Sequence, residues 1–155
     1  MFTLHSQLAA DTVPIGQFTL SLVLLHKDAN YPWVILVPKR ETIREIHHLS
    51  ELDQQQLLRE SSHLSEVMTS VYAPKKMNIA SLGNVVPQLH IHHVARFEDD
   101  PAWPGPIWGA AAAKEYPPER LQKRQDRLRS SLVGEGFEAH NLVEENKDSS
   151  AGFTP

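Results

Sequence analysis

The chain has 155 residues, with 15 Lys and Arg against 19 Asp and Glu, for a formal charge of −4 with histidines neutral. That length suits one domain with its own core, 41% apolar and 22% charged residues exclude wholesale disorder, and the acidic balance argues against a nucleic-acid duplex as partner. The absence of cysteine excludes a disulfide framework, a thiolate nucleophile and any Cys-containing zinc site. No basic segment followed by an apolar one opens the chain and no apolar run is long enough to span a bilayer, so no membrane contact is expected and cytoplasmic residence follows by default.

After a short opening segment, Phe18 to Leu25 reads as a strand, and His26 to Pro32 reads as a turn. Trp33 to Val37 is a second strand stopped by Pro38, joined to the first as a hairpin. From Ser50 the period changes to that of a helix ending near Tyr72. Ser50 is placed to cap Leu52 or Asp53, and Leu57, Leu58, Leu64, Val67, Met68 and Val71 form the apolar face, with Glu60 and Glu66 outside it. The helix reads as scaffold.

Two more extended segments follow, Lys76 to Ala80 and Gln88 to Phe97, separated by the loop Ser81 to Pro87. Four strands with one substantial helix between the second and third predict an α+β domain, a largely antiparallel sheet flanked by helices. The Pro/Trp-rich segment 99–108 is expected to be extended, and Arg120 to Leu132 to be a sparse amphipathic helix. Residues 1–143 are expected to form a single domain, with 144–155 a polar tail.

Three of nine histidines fall within four residues, at His90, His92 and His93. In a strand, Gln88, His90, His92, Val94 and Arg96 share one face, while Leu89, Ile91, His93, Ala95 and Phe97 share the other. The second set marks the core side, which makes His93 a hydrogen-bonded structural residue unless it faces a dimer partner or a relocated site. The first set is an exposed or cleft-facing row suited to anions and protons. Two adjacent imidazoles can bind a phosphoryl group, and one can attack phosphorus if its other ring nitrogen is held as a donor. They can equally supply two ligands to zinc, with Asp99 or Asp100 loosely placed as a third, or be ordinary structural histidines. His26, His47, His48 and His63 show no evident link to this row.

The stretch Gly83-Asn-Val-Val-Pro-Gln-Leu-His-Ile-His-His-Val-Ala-Arg96 resembles the signature of the histidine triad (HIT) superfamily of nucleotide hydrolases and transferases. That signature has three histidines at alternating positions after a Gly-Gln-x-Val-like turn. Gly83 and Asn84 match the turn glycine and the phosphate-contacting glutamine. Gln88 falls on the first histidine, His90 on the nucleophilic one, His92 on the third and Arg96 on the closing arginine. Upstream, Trp33 to Arg40 is similar to a family strand written roughly Gly-His-x-Leu-Val-x-Pro-Lys.

The resemblance implies a HIT-like fold and a homodimer with no cofactor and no required metal. It implies hydrolysis of a dinucleoside polyphosphate or nucleoside phosphoramidate through a nucleotidyl adduct on His90. The expected catalytic residues are His90, His92 and Gln88, with Asn78, Gly83, Asn84 and Arg96 binding substrate. Backbone carbonyls beside His92 are the expected tautomer holder. The departure at Gln88, which cannot titrate, keeps a second reading open, a nucleotide-binding protein with weak or no turnover. A protein-interaction subunit built on the Trp/Pro segment is a third. Trp103 and Trp108 read either as a stacking wall or as a brace for the C-terminal extension. Glu98, Asp99 and Asp100 read as a solvated run or as partners of Lys39, Arg40 or Arg96.

Overall fold

The computed structural model describes residues 1–140. The expected tail, and residues 141–143 of the expected domain, lie outside the described residues. The elements in chain order are α1 (Ser6–Asp11), β1 (Thr12–Gln17), β2 (Ser21–His26), β3 (Trp33–Pro38), α2 (Glu51–Tyr72), β4 (Lys76–Ala80), β5 (Ile91–Arg96), α3 (Pro118–Ser131) and β6 (Glu138–Ala139). The strands form one sheet in the order β4-β5-β3-β2-β1-β6, and every neighbouring pair is antiparallel. The α+β class and the antiparallel sheet are as predicted, with six strands in place of four. Among the described residues no helix is long and apolar enough to cross a membrane.

Both faces of the sheet are covered. On one, Val34, Leu36, Ile91 and Ala95 pack with Leu57, Leu64 and Met68 of α2 and Leu128 of α3. On the other, Trp33, Ile35, Val37 and Val94 pack with Leu8 of α1, Val86 and Ile107. The unbroken apolar run of β3 fits a strand with both faces buried, where alternation with polar residues is not required. The second cover, supplied by α1 and the Trp/Pro segment, encloses the histidine row that was expected to be exposed or cleft-facing.

The expected strand Phe18 to Leu25 is corrected at its start. Phe18, Thr19 and Leu20 form the turn between β1 and β2, closed by the Phe18 amide donating to the Ser21 carbonyl at 2.8 Å. Phe18 and Leu20 are apolar because the turn is folded into the core, not because they lie on a pleat. β1 escaped detection because its sequence, TVPIGQ, carries Pro14 and Gly16, and its register shifts between those two residues. The segment 99–108 is also corrected. It is a succession of turns, with amide-to-carbonyl bonds from Asp100 to Phe97, Trp103 to Asp100 and Gly105 to Ala102.

Helix α2 begins where expected, with Ser50 Oγ accepting from the Asp53 amide at 3.1 Å. Two of its residues are placed differently from the sequence reading. Leu58 is 67% exposed, whereas Glu60 is fully buried. Glu60 lies three residues after Leu57 and four before Leu64, so it occupies the inward stripe itself. Its carboxylate accepts from the Leu20 amide at 3.1 Å, the Ser21 amide at 2.8 Å and Gln56 Nε2 at 3.1 Å. Burial pushes its carboxyl above the usual range, and these bonds oppose the shift.

Glu60→Ala leaves two buried amides of the β1–β2 turn without acceptors. It is expected to lower the free energy of unfolding by about 3 kcal/mol in urea titrations, with Glu60→Gln losing less than half of that. An unchanged midpoint for the alanine variant would show that the turn does not depend on this carboxylate.

Candidate active site

His90 lies one residue before β5, between the loop Ser81–Pro87 and the sheet, and is 5% exposed. Its Nδ1 is 2.7 Å from the Gln88 carbonyl oxygen. A carbonyl only accepts, so Nδ1 carries the hydrogen and, in the neutral ring, Nε2 carries a free lone pair. The tautomer holder is therefore the carbonyl of Gln88, two residues before His90, and not one beside His92. Gly83 sits against the edge of this ring. A Cβ there would meet the loop's own Val86 carbonyl oxygen at 2.7 Å, so the loop folds this tightly only with glycine, while His90 Cε1 at 3.6 Å would be in ordinary contact.

His92, on β5, has the opposite tautomer. The Trp33 indole Nε1–H donates to its Nδ1 at 3.0 Å. An indole nitrogen only donates, so Nδ1 is an acceptor and Nε2 carries the hydrogen, which it donates to the Leu82 carbonyl at 3.5 Å. The His90 and His92 rings lie 4.8 Å apart at 76°. Burial, reinforced by the neighbouring His90, pushes the His92 pKa down to about 4. The Trp33 indole is itself held on its other face by His26, stacked at 3.7 Å and 5°. His26 Nδ1 accepts from the Asp28 amide at 3.0 Å. Burial lowers its pKa, with Asp11 and Asp28 opposing. Trp108 closes the wall edge-on, 5.1 Å from His92.

Two cavities flank His90. The larger, about 430 Å³, is mainly apolar and is lined by the His26, Trp33, His92 and Trp108 rings with Leu8, Ile35, Val86, Gln7 and Asp11. The smaller, about 220 Å³, is polar and is lined by Arg44, Glu45, Ser81, Gly83 and Gln88. Asn84 and His90 border both. A phosphoryl group over His90 Nε2 would have an aromatic chamber on one side and a polar one on the other.

Of the residues expected to form the site, His90, His92, Gly83 and Asn84 come together. Gln88 adjoins them, but its side-chain amide turns away. Oε1 accepts from the His5 amide at 2.8 Å and Nε2 donates to the Thr3 carbonyl at 2.9 Å. Its contribution to the site is its backbone carbonyl. Arg96 and Asn78 line neither cavity. Arg96 is 1% exposed, so its charge requires a fixed partner, and Asp100 supplies it through Nε at 2.8 Å and Nη2 at 3.1 Å. Asn78 Oδ1 accepts from Arg96 Nη1 at 2.7 Å. Arg96 also lies about 13 Å from His92 along the strand. With the rings of Tyr31 and Trp103 each 5.8 Å from its guanidinium, Arg96 anchors the covering segment that ends in Trp108. Asp100, committed to that pair, is not a third zinc ligand. His93 faces the core as expected, its Nε2 2.8 Å from Ser61 Oγ and its Nδ1 3.1 Å from the Ile91 carbonyl. Nδ1 therefore donates, and Ser61 donates to Nε2.

The sequence reading missed His26, Trp33 and Arg44. A signal for the first two existed. The hairpin pairs Leu25 with Val34, which brings His26 and Trp33 side by side one step further on. Aligning Pro38 and Lys39 with the end of the Gly-His-x-Leu-Val-x-Pro-Lys pattern puts Trp33 on its histidine. No local pattern marks Arg44, which reaches the site from the coil after β3.

Comparison with known proteins bears on the family and the fold. A model of the HIT domain matches residues 7–99. A crystal structure of a histidine triad protein from Marinobacter aquaeolei is 50% identical, with a TM-score of 0.83 over 85% of this chain and 96% of that one. One from Bradyrhizobium japonicum is 44% identical, with a TM-score of 0.83 over 85% and 98%. One from Sinorhizobium meliloti is 40% identical, with a TM-score of 0.82 over 85% and 98%. The curated proteins gave no match.

Burial also pushes the His93 pKa to about 4, so His92 and His93 both titrate below their ordinary 6.5. The native state then binds fewer protons than the unfolded chain. The stability this contributes is present above pH 6.5 and is lost as pH falls from there toward about 4. Urea midpoints should accordingly drop between pH 7.5 and pH 5, while the ring ¹⁵N shifts of His92 stay constant over most of that interval. Trp33→Phe removes the indole donor and should convert His92 from a pure Nε2–H form to a mixture of tautomers in the same spectra. A single unchanged tautomer would mean that the indole does not set it.

Proposed function

The chain belongs to the histidine triad (HIT) family, and on that premise we propose that it is a nucleotide hydrolase working through a nucleotidyl adduct on His90. The observation that carries the reading is the pairing of opposite tautomers. His90 offers a lone pair at Nε2 and, 4.8 Å away between ring centres, His92 carries a hydrogen at Nε2, held by a long 3.5 Å bond to the Leu82 carbonyl that a phosphoryl oxygen would replace. One ring is prepared to attack and the other to donate to the group attacked.

In the first step His90 Nε2 attacks the α-phosphorus of a nucleotide conjugate. The N–P bond forms, the bond from phosphorus to the leaving group breaks, and its electron pair leaves with that group. The ring becomes cationic, and its Nδ1–H donates more strongly to the Gln88 carbonyl, so this backbone oxygen stabilises the charge as it develops. His92 Nε2–H and the Asn84 amide donate to the phosphoryl oxygens, and Gly83 lets the loop that carries Asn84 fold tightly on itself beside His90. Water then attacks phosphorus, the N–P bond breaks, neutral His90 is restored, and a nucleoside monophosphate and one proton are released. Gln88 acts as a positioning residue through its main chain. The homodimer that the resemblance implies belongs to the same proposal, and sedimentation should find twice the 17.5 kDa chain mass.

A binding-only reading draws on one observation, the engagement of the Gln88 side chain by Thr3 and His5 where the family motif has a histidine. It predicts nucleotide retention without turnover.

Intact-protein mass spectrometry after brief incubation with diadenosine polyphosphates and adenosine phosphoramidates separates the two. The hydrolase reading expects a transient nucleotidyl mass on the wild type and none on His90→Ala, whose turnover falls by about three orders of magnitude or more. His92→Ala, which removes a donor to the phosphoryl group, should lose about a hundredfold in kcat. Bound nucleotide with neither adduct nor monophosphate product would leave the binding reading standing.

A further inference from the structure

We propose that the Gln88 side chain is a positioning residue for the nucleoside, latching residues 1–5 along the edge of the site so that helix α1 stays in place as a wall of the apolar chamber beside His90. The proposal rests on the nucleotide reading of the His90 site and adds the opening segment of the chain to it.

A helix of six residues is not stable in water on its own, so the place of α1 is set by what ties it down. Its carboxyl end is pinned to the sheet. The Lys27 amide donates to the Asp11 carbonyl at 2.9 Å, Lys27 Nζ to the Ala10 carbonyl at 2.8 Å and Thr12 Oγ1 to the Leu8 carbonyl at 2.6 Å. At the amino end, His5 Nδ1 accepts from the Gln7 amide at 3.1 Å, which joins the segment to the helix but to nothing beyond it. Among the described residues, the hydrogen bonds that tie residues 1–5 to the rest of the protein are the two made by the Gln88 amide, to Thr3 and His5. Other ties are weak. Met1 pairs with Glu41 through well-exposed groups, a contact of little energetic worth, and Phe2 and Leu4 are only partly buried against the core.

What the latch holds is a chamber wall. Gln7, Leu8 and Asp11 of α1 line the chamber of about 430 Å³ together with the Trp33 and Trp108 rings. Gln7 Nε2 donates to Asp11 Oδ1 at 2.9 Å, so the two polar groups that α1 brings are carried as one unit. A ligand in a mainly apolar cavity is oriented by a few fixed polar groups of this kind, here available to sugar hydroxyls or a base edge. If the amino end of α1 lifted, this pair and the Leu8 contact would leave the chamber together. The same residue also orients the nucleophile, because the Gln88 carbonyl lies 2.7 Å from His90 Nδ1. Gln88 thus places the nucleoside through its side chain and the attacking ring through its main chain. An amide does not titrate, so the latch holds at any pH at which the protein is folded.

Proline at residue 5 removes the N–H from which Gln88 Oε1 accepts, and the φ of −56° at His5 already suits a proline ring. His5→Pro also loses the imidazole, which His5→Ala loses alone, so the two variants are compared with each other. In titration calorimetry with adenosine monophosphate, His5→Pro should bind about tenfold more weakly than His5→Ala, the worth of one good hydrogen bond. With diadenosine tetraphosphate the difference should fall on KM and not on kcat, as for a contact made equally before and during the reaction. Gln88→Asn, too short by one methylene to bridge Thr3 and His5, should weaken adenosine monophosphate binding to a similar degree, and it decides the matter if His5→Pro does not fold. Equal affinities for His5→Pro and His5→Ala, wild-type affinity in Gln88→Asn, or a difference confined to kcat overturns the inference and leaves the hydrolase reading to its own test by the nucleotidyl mass. A wild type that neither binds adenosine monophosphate nor acquires that mass overturns both.

Discussion

Strand β5 is buried along its whole length, with a helix-covered core on one side and the α1 and Trp/Pro cover on the other. It nevertheless carries two imidazoles and a guanidinium, with a third imidazole just ahead of it. None of these can be satisfied by bulk water, so each must find a fixed partner within the protein. His90 takes the Gln88 carbonyl, His92 the Trp33 indole, His93 the Ser61 hydroxyl and the Ile91 carbonyl, and Arg96 the Asp100 carboxylate and Asn78. Burial thereby converts four polar side chains into four defined orientations and protonation patterns. A shallow, wet groove would leave the same residues free to rotate and exchange tautomers.

The cover that imposes this burial is held by the strand it covers. Arg96 and Asp100 form a nearly inaccessible ion pair at the end of β5, and Asp100 also accepts from the Phe97 and Ala102 amides. The pair thus fixes the turns that carry Trp103 across the guanidinium and Trp108 to the wall beside His92. Removing one partner of such a pair leaves a buried charge uncompensated, a far larger penalty than the loss of a surface ion pair. The residue matched to the closing arginine of the family signature therefore supports the chamber from behind, without touching what it holds.

Much of this was legible in the sequence, and the parts that were not share a cause. Helix α2, strands β3 and β4, the inward turn of His93 and the nearness of His90 and His92 all follow from local periodicity, which residues i and i+2 or i and i+4 carry unaided. The errors came where a residue's environment is set by a segment distant in sequence. Glu60 looked like a surface acid because its two amide partners are some forty positions away. Arg96 looked cleft-facing because nothing local states that the sheet is roofed on that side. His26 and Trp33 looked like turn and strand residues, since their link to His92 appears only once β3 is placed beside β5. Proline and glycine in β1 concealed a strand that survives by shifting its register.

The two hydrogen bonds that bind the Gln88 amide to Thr3 and His5 also tie the start of the chain to the edge of the site. An amide presents its donor and its acceptor side by side, and the N-terminal strand of chain meets both with one amide and one carbonyl. The two nitrogens of an imidazole point in divergent directions and cannot bridge the same pair of backbone groups. Histidine at residue 88 would therefore release the N-terminal segment from the edge of the site, so the amide at this position serves as the clasp that holds the start of the chain against it.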